Sequence, residues 1–313
     1  MAQCTSPEVT SADQDPEYPV HAAGLIDEAG FDWLLIGYSP AAPDAMLVAN
    51  EVLTTTSRLG VVVARVPGLV APTIAARQLA TLAAFHRGRV ALHAVTEFEA
   101  DARHDGDAFD PAWRPRRAAE FLKISRLAWT SPQPFDYSGE FYQVAGATPA
   151  PQPAGKKIGV YLAGESADAL RVGAACADVY LLADEPLPAL ARRMARLSAA
   201  AGRHGRPLRF GVSLRLITAP TRLAATQRYD RVASAGYQGG RAGAWIPPAN
   251  LRLTIGASLV GSYDDVAQAL LDRVRAGIDT LVIGHDPVTD ATDCAAVIER
   301  VREKTESLSR LAC

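Results

Sequence analysis

FGVSLRLIT, Phe210 to Thr218, reads as a buried strand with a cation in its middle. Val212, Leu214 and Leu216 alternate with Ser213 and Arg215. One face is therefore apolar, and the other carries a hydroxyl and a guanidinium. A guanidinium withdrawn from water is costly unless it meets a carboxylate, solvent or a ligand. Asp184 and Asp286 are the acids that an internal ion pair would use; an anion-binding wall is the functional alternative. If the strand belongs to a closed barrel, Ser213 and Arg215 face inward. Arg215 then lies nearer the C-terminal mouth, where barrel enzymes keep their active sites.

Similar short apolar runs recur on either side of this strand. Phe31–Tyr38, Leu59–Arg65, Arg89–Val95, Ile158–Leu162, Val179–Leu182 and Thr280–Gly284 all lack clean alternation, as strands covered on both faces do. Helical patterns separate them: Tyr18–Ala29, Ala45–Thr56, Pro72–Phe85, Arg116–Ala128, Ala167–Ala175, a stretch running through Ala199, Asp264–Ala276 and Cys294–Leu308. Strict alternation of strand and helix implies a parallel sheet with right-handed crossovers. Seven strands are clear. An eighth from Met1–Thr5 would close a barrel; without it the sheet would be open and doubly wound. Pro134–Val144 reads as an aromatic hairpin around Ser138-Gly139. A single domain over residues 1–313 is expected, with residues 1–17 as a polar, disordered start and residues 237–256 as a mobile loop.

The 313 residues carry a net charge of -2 and no basic run, which argues against nucleic acid or an anionic membrane as the main partner. No apolar stretch approaches the length of a membrane helix, and the N-terminus lacks an apolar signal core, so a cytoplasmic protein is expected. The four cysteines, Cys4, Cys176, Cys294 and Cys313, are scattered and suggest neither disulfides nor zinc. There is no dinucleotide fingerprint, Walker loop or metal motif, and no metal is expected.

Chemistry concentrates in a few places. In VYLAGESAD a strand runs into Ala163-Gly164 and a helix begins near Ser166. That arrangement is an anion cradle or a plain N-cap. It is also a weak nucleophile elbow, with Ser166 followed by Asp265 and His285 in hydrolase order. Glu165 adds negative charge that opposes phosphate. His93 and Thr96 lie on one strand and His285 ends another; each imidazole is a structural residue or an acid/base group. Arg252 and Trp245 sit in the glycine-rich loop, and Tyr38 ends a strand, where these side chains line a pocket or simply pack.

LVAPTIAARQLATLAAFHRGRVALHAVT, FDYSGEFYQVAGA, IGVYLAGESADAL and GRPLRFGVSLRLI together resemble the bacterial-luciferase-like flavin monooxygenases, nearest the alkanesulfonate monooxygenase branch. The resemblance runs from about Ala22 to Val301. It implies a (β/α)8 barrel of the TIM type, from which this sequence departs by a shortened first strand and a reduced insertion after the seventh strand. It also implies reduced FMN delivered by a separate flavin reductase, use of oxygen, and a homodimer or homotetramer. By the same resemblance Ala64 meets the flavin ring, His93 and Thr96 face it, and Gly164, Glu165 and Ser166 form the phosphate loop. Arg252 closes over substrate.

The departures from that branch are as informative. Arg215 stands for a histidine, Ser213 for an arginine, Ala42 for a cysteine and Asp286 for a tyrosine. Arg114-Pro115 replaces an Arg-Tyr pair. The scaffold is thus expected without the sulfonate chemistry: a flavin-dependent oxidoreductase acting on a specialised or carrier-bound small molecule. Arg215, His93, His285 and Arg252 would do the chemistry, and Tyr38, Ser213, Arg215, Trp245 and Arg252 would hold the substrate. FAD, a deazaflavin or no cofactor at all are the alternatives. A non-redox relative performing acid/base chemistry such as cyclisation, or serving as an accessory binding subunit, is the second reading, and a serine hydrolase the third.

Overall fold

A computed structural model describes residues 3–6, 18–38, 42–96, 105–107, 109–151, 157–234, 258–284 and 291–311. Strand and helix alternate along these residues. The strands are β1 (Gln3–Ser6), β2 (Trp33–Ile36), β3 (Gly60–Arg65), β4 (Val90–Ala94), β5 (Phe135–Ser138), β6 (Gln143–Ala147), β7 (Gly159–Ala163), β8 (Val179–Ala183), β9 (Arg209–Ala219), β10 (Ser258–Ser262) and β11 (Thr280–Gly284). The helices are α1 (Tyr18–Glu28), α2 (Ala45–Thr55), α3 (Pro72–Phe85), α4 (Arg114–Thr130), α5 (Ala167–Cys176), α6 (Leu187–Gly202), α7 (Arg222–Ser234), α8 (Tyr263–Arg275) and α9 (Ala291–Leu311).

The sheet runs β9-β11-β1-β2-β3-β4-β7-β8 and returns to β9, with every neighbouring pair parallel. The eight strands close a barrel. The N-terminal run does supply the eighth strand: Gln3 to Thr5 align with Thr280 to Val282, and Thr5 and Ser6 align with Trp33 and Leu34. Four residues suffice because the Cys4 amide is held at 2.8 Å by the Asp32 carboxylate and the Cys4 side chain is buried.

The alternation seen in the sequence resolves into two layers. Leu34, Ile36, Val61, Val63, Val212, Leu214 and Leu216 pack outward against the helices. Leu35, Val62, Ala91, Tyr161, Val179, Leu181 and Val282 fill the barrel. Proline opens α3, α4 and α6 within the first turn, where a missing N–H costs nothing. Asp44 caps α2, and Ser262 with Asp265 forms a reciprocal capping box on α8.

Two elements were not anticipated. The first is α7: its sequence, RLAATQRYDRVAS, is too polar to show a helical stripe. Ion pairs hold it to the rest, Arg222 with Asp265 and Arg228 with Asp293. The second is β10, which aligns with the outer half of β9, Ser258 with Arg215 through Ser262 with Ala219. The hairpin is present as β5 and β6, its second strand reaching Ala147 rather than stopping at Val144.

Glu120, on α4, explains the hairpin's turn. Its carboxylate accepts from the amides of Glu140, Phe141 and Tyr142 at 2.7, 3.0 and 3.2 Å. Gly139 lies so close to this carboxylate that any side chain there would displace it. Glu120→Ala is expected to lower stability by roughly 1–3 kcal/mol, because three charge-assisted bonds are lost from a partly buried turn. Urea unfolding checks the size, and hydrogen exchange of the three amides checks the place.

Candidate active site

Inner positions at the C-terminal ends of the strands are small. Ala64 ends the inner row of β3, Ala163 that of β7, Ala183 that of β8 and Gly284 that of β11. Below them the barrel is filled, and Tyr161 runs across it to bring its hydroxyl within 3.4 Å of the Gln3 side chain. These small residues above a packed layer keep the inner wall of the mouth low among the described residues. Three polar side chains share that rim: His93, Ser213 and Arg215.

Arg215 sits on the inner face of β9, between Leu214 and Leu216, which both face the helices. Its register partner on β11 is Gly284, and the partners of Ser213 are Ala183 and Val282, so bulk near the guanidinium is minimal. Asp184 is not its counter-ion. That carboxylate is buried and takes Arg273 of α8 in both oxygens, at 2.7 and 2.5 Å. The reason is positional: Asp184 follows Ala183, so it falls on the helix-facing side of β8, where α8 meets it. Arg215 is half-buried and is itself engaged; Asp286 lies outside the described residues.

His93 is in register with Ala64 on one side and Tyr161 on the other. It is 3% exposed, and neither ring nitrogen has a hydrogen-bond partner among the described residues. Buried polar atoms in folded proteins are nearly always paired, so this imidazole keeps hydrogen-bonding capacity that the described residues leave unused. Burial pushes its pKa down to about 4, which leaves a neutral ring with one donor and one acceptor at neutral pH. The unfolded imidazole titrates near 6.5, so the unfolded chain binds the extra proton between those values. Stability should therefore rise with pH from about 4 to about 6.5, by something on the order of 3 kcal/mol from this residue. Thermal unfolding measured across that window should show the slope, and His93→Leu should flatten it.

Thr96, just past β4, is buried and donates to the Ala163 carbonyl at 3.3 Å, tying the ends of β4 and β7 together. Tyr38, just past β2, packs with Ala64, Val66 and Val95. Its hydroxyl donates to Asp105, in the connection between β4 and α4. Burial and the Asp105 carboxylate raise this phenol well above its usual range, so it stays protonated.

The turn after β7 keeps Gly164 at a φ of 146°, a conformation that favours glycine, with its carbonyl held by the Tyr180 hydroxyl at 2.8 Å. Ser166 is the N-cap of α5 and accepts from the Ala169 amide at 3.1 Å. Glu165 is exposed and lies 3.6 Å from Arg193, which also pairs with Glu185 at 3.0 Å. Asp265, the acid of the hydrolase reading, is committed elsewhere, to Ser262 and Arg222. His285, Arg252 and Trp245 lie outside the described residues.

The sequence points to His93, Ser213, Arg215, Ala64 and Tyr38, and the structure places the first four on inner strand faces toward the C-terminal ends and Tyr38 just past β2. Sequence reasoning did not find Asp105, whose importance comes only from a contact 67 positions away. Nor did it single out Ala163, Ala183 and Gly284, although each visibly ends an apolar run with a small residue.

A closed parallel barrel with its polar inner groups gathered at the C-terminal mouth defines a barrel enzyme. The profile of the luciferase-like monooxygenases matches residues 2–280, and the chain belongs to that family. Its fold is similar to that of riboflavin lyase, solved with a modified FMN and riboflavin (TM-score 0.80, 17% identity, covering 97% of this chain and 92% of that one). It is similar to EDTA monooxygenase from a Chelativorans species (TM-score 0.78, 19% identity, 97% and 94% covered). It is also similar to the coenzyme F420-dependent tetrahydromethanopterin reductase from Methanopyrus kandleri (TM-score 0.70, 16% identity, 95% and 96% covered). Among the described residues no helix is long and apolar enough to cross a membrane.

Proposed function

We propose that this chain binds FMN at the barrel mouth and uses it to oxidise an anionic small molecule, with reduced flavin supplied by a separate reductase. The observation that carries the reading is the pair of His93 nitrogens, without a hydrogen-bond partner among the described residues and buried on the inner face beside Ala64. A flavin's pyrimidine edge presents both N–H and C=O groups, which a neutral imidazole with one donor and one acceptor can satisfy. Ala64 and Ala163 leave space for a flat ring. Bound flavin would supply the redox chemistry, taking up and passing on electrons in a site that side chains alone cannot make redox-active.

The chain's own residues would bind and orient. His93 acts as a neutral hydrogen-bonding group, since its burial opposes a charged ring. Tyr38 walls the ring site, and Thr96 keeps the ends of β4 and β7 together. Arg215, with Ser213 beside it, holds the anionic group of the substrate and stabilises negative charge that develops near it. Arg252, His285 and Trp245 complete the proposal as substrate-closing and acid/base residues from the loops above. The reading also includes a homodimer or homotetramer.

One observation favours the second reading, a relative that does no redox chemistry. Glu165 and Asp168 flank the start of α5, where negative charge opposes a phosphate that the helix N-terminus would otherwise attract. Arg193 offsets Glu165 only in part, at 3.6 Å. Titration of the purified protein with oxidised and reduced FMN, FAD, riboflavin and a deazaflavin separates the readings. Saturable FMN binding in the micromolar range, lost on His93→Leu, supports the proposal. Tighter binding of riboflavin than FMN would point to the acidic loop excluding phosphate. Binding of none of them would overturn the flavin reading.

A further inference from the structure

The geometry points to Asp105 as a positioning residue of the mouth: by accepting the hydrogen bond of Tyr38 it keeps that ring packed on Ala64, Val66 and Val95, and so fixes one wall of the ring-binding place. This rests on the flavin reading of the same site.

Tyr38 emerges at the end of β2 and Asp105 in the connection from β4 to α4, so their bond spans β3 and joins two loops over one side of the rim. The apolar body of Tyr38 packs against the cluster of Ala64, Val66 and Val95, in which the small methyl of Ala64 leaves space for a flat ligand. A tyrosine here is anchored at both ends, by packing along the ring and by a carboxylate at the tip. Asp105 itself is well placed to hold it. Two residues on, Asp107 is buried in a two-pronged pair with Arg117 of α4, so the backbone that carries Asp105 is fixed rather than free to swing. Arg114, opening the same helix, is close enough to lower the phenol's proton affinity against the effect of Asp105. Asp105 is exposed, so its bond adds little to global stability. Its effect is local, on where the Tyr38 ring sits.

The test is a double-mutant cycle read by FMN affinity and by the visible circular dichroism of bound flavin. Asp105→Ala and Tyr38→Phe are each expected to weaken FMN binding by about threefold to tenfold and to change the dichroic band. Asp105→Asn, which keeps an acceptor, should restore binding to within about twofold of the native protein. The double variant should be no worse than either single one. Melting temperatures should stay within about 2 °C of the native protein, which separates positioning from unfolding. Nitration of Tyr38 by tetranitromethane, mapped by mass spectrometry, needs no flavin and should speed up several-fold in Asp105→Ala. If the native protein binds FMN and Asp105→Ala alters neither affinity nor nitration, or the two substitutions add, the inference is overturned. If the native protein binds no flavin but nitration still accelerates, the flavin reading fails while the tether stands. Failure of both arms removes both.

Discussion

His93→Leu should make the flavin-free protein more stable and the flavin complex weaker, by roughly tenfold to a hundredfold in dissociation constant. The two effects have one cause. The imidazole is buried and both nitrogens go unpaired among the described residues, so burying these polar atoms costs stability without compensation there. Leucine has similar bulk and nothing to satisfy, and should return about 1–2 kcal/mol of unfolding free energy. The same replacement removes the donor and acceptor offered to the ligand. Urea unfolding of the apoprotein and fluorescence titration with FMN measure the two sides. A variant that is less stable and binds FMN normally would show His93 to be an ordinary packing residue. A residue kept at the expense of stability is what a binding site demands and a core does not.

Arg117→Ala or Asp107→Ala should be far more damaging to the fold, lowering stability by about 3–5 kcal/mol. Arg117 is 2% exposed and Asp107 is 4% exposed, and the two meet through both oxygens and both terminal nitrogens. The guanidinium also lies 4.9 Å from the centre of the Phe109 ring. Gly68, at a φ of 115°, makes its space, since any side chain there would overlap the guanidinium. Removing one partner strands the other's charge in this enclosure. Removing both, as Arg117→Met with Asp107→Leu, should recover most of the loss, because the penalty belongs to an unpaired charge rather than to the missing attraction. Denaturant midpoints of the two single variants and the double variant decide it; equal damage in all three would mean that the shape of the pair matters more than its charge. The pair ties the loop after β4 to α4, so Asp107→Ala should also weaken FMN binding through Asp105 and Tyr38.

The barrel was legible because its signal is repeated. Each strand is a short run of Val, Leu and Ile, and each is followed by a helix with ordinary start signals: proline in α3, Ser262 with Asp265 in α8, Ser166 in α5. Even Arg215 was legible, because alternation with Leu214 and Leu216 fixes its face once β9 is recognised as a strand. The elements that escaped lack such a signal. The polar helix α7 is held by ion pairs to α8 and α9, and no local pattern announces partners that far along the chain. The strand β10 exists because β9 runs on past the end of β11 and offers a free edge.

What the sequence determined by itself is periodicity: which stretches are strands and helices, and, on β9, that Ser213 and Arg215 share the face opposite Leu214 and Leu216. Those follow from two-residue and helical repeats, which are local. What only the tertiary structure decided is pairing. Asp184 lies one residue past the inner row and goes to Arg273 instead of Arg215; Tyr38 finds Asp105; His93 finds no hydrogen-bond partner among the described residues. Closing the barrel sets those distances, because curvature and stagger bring together residues that the order along the chain keeps apart.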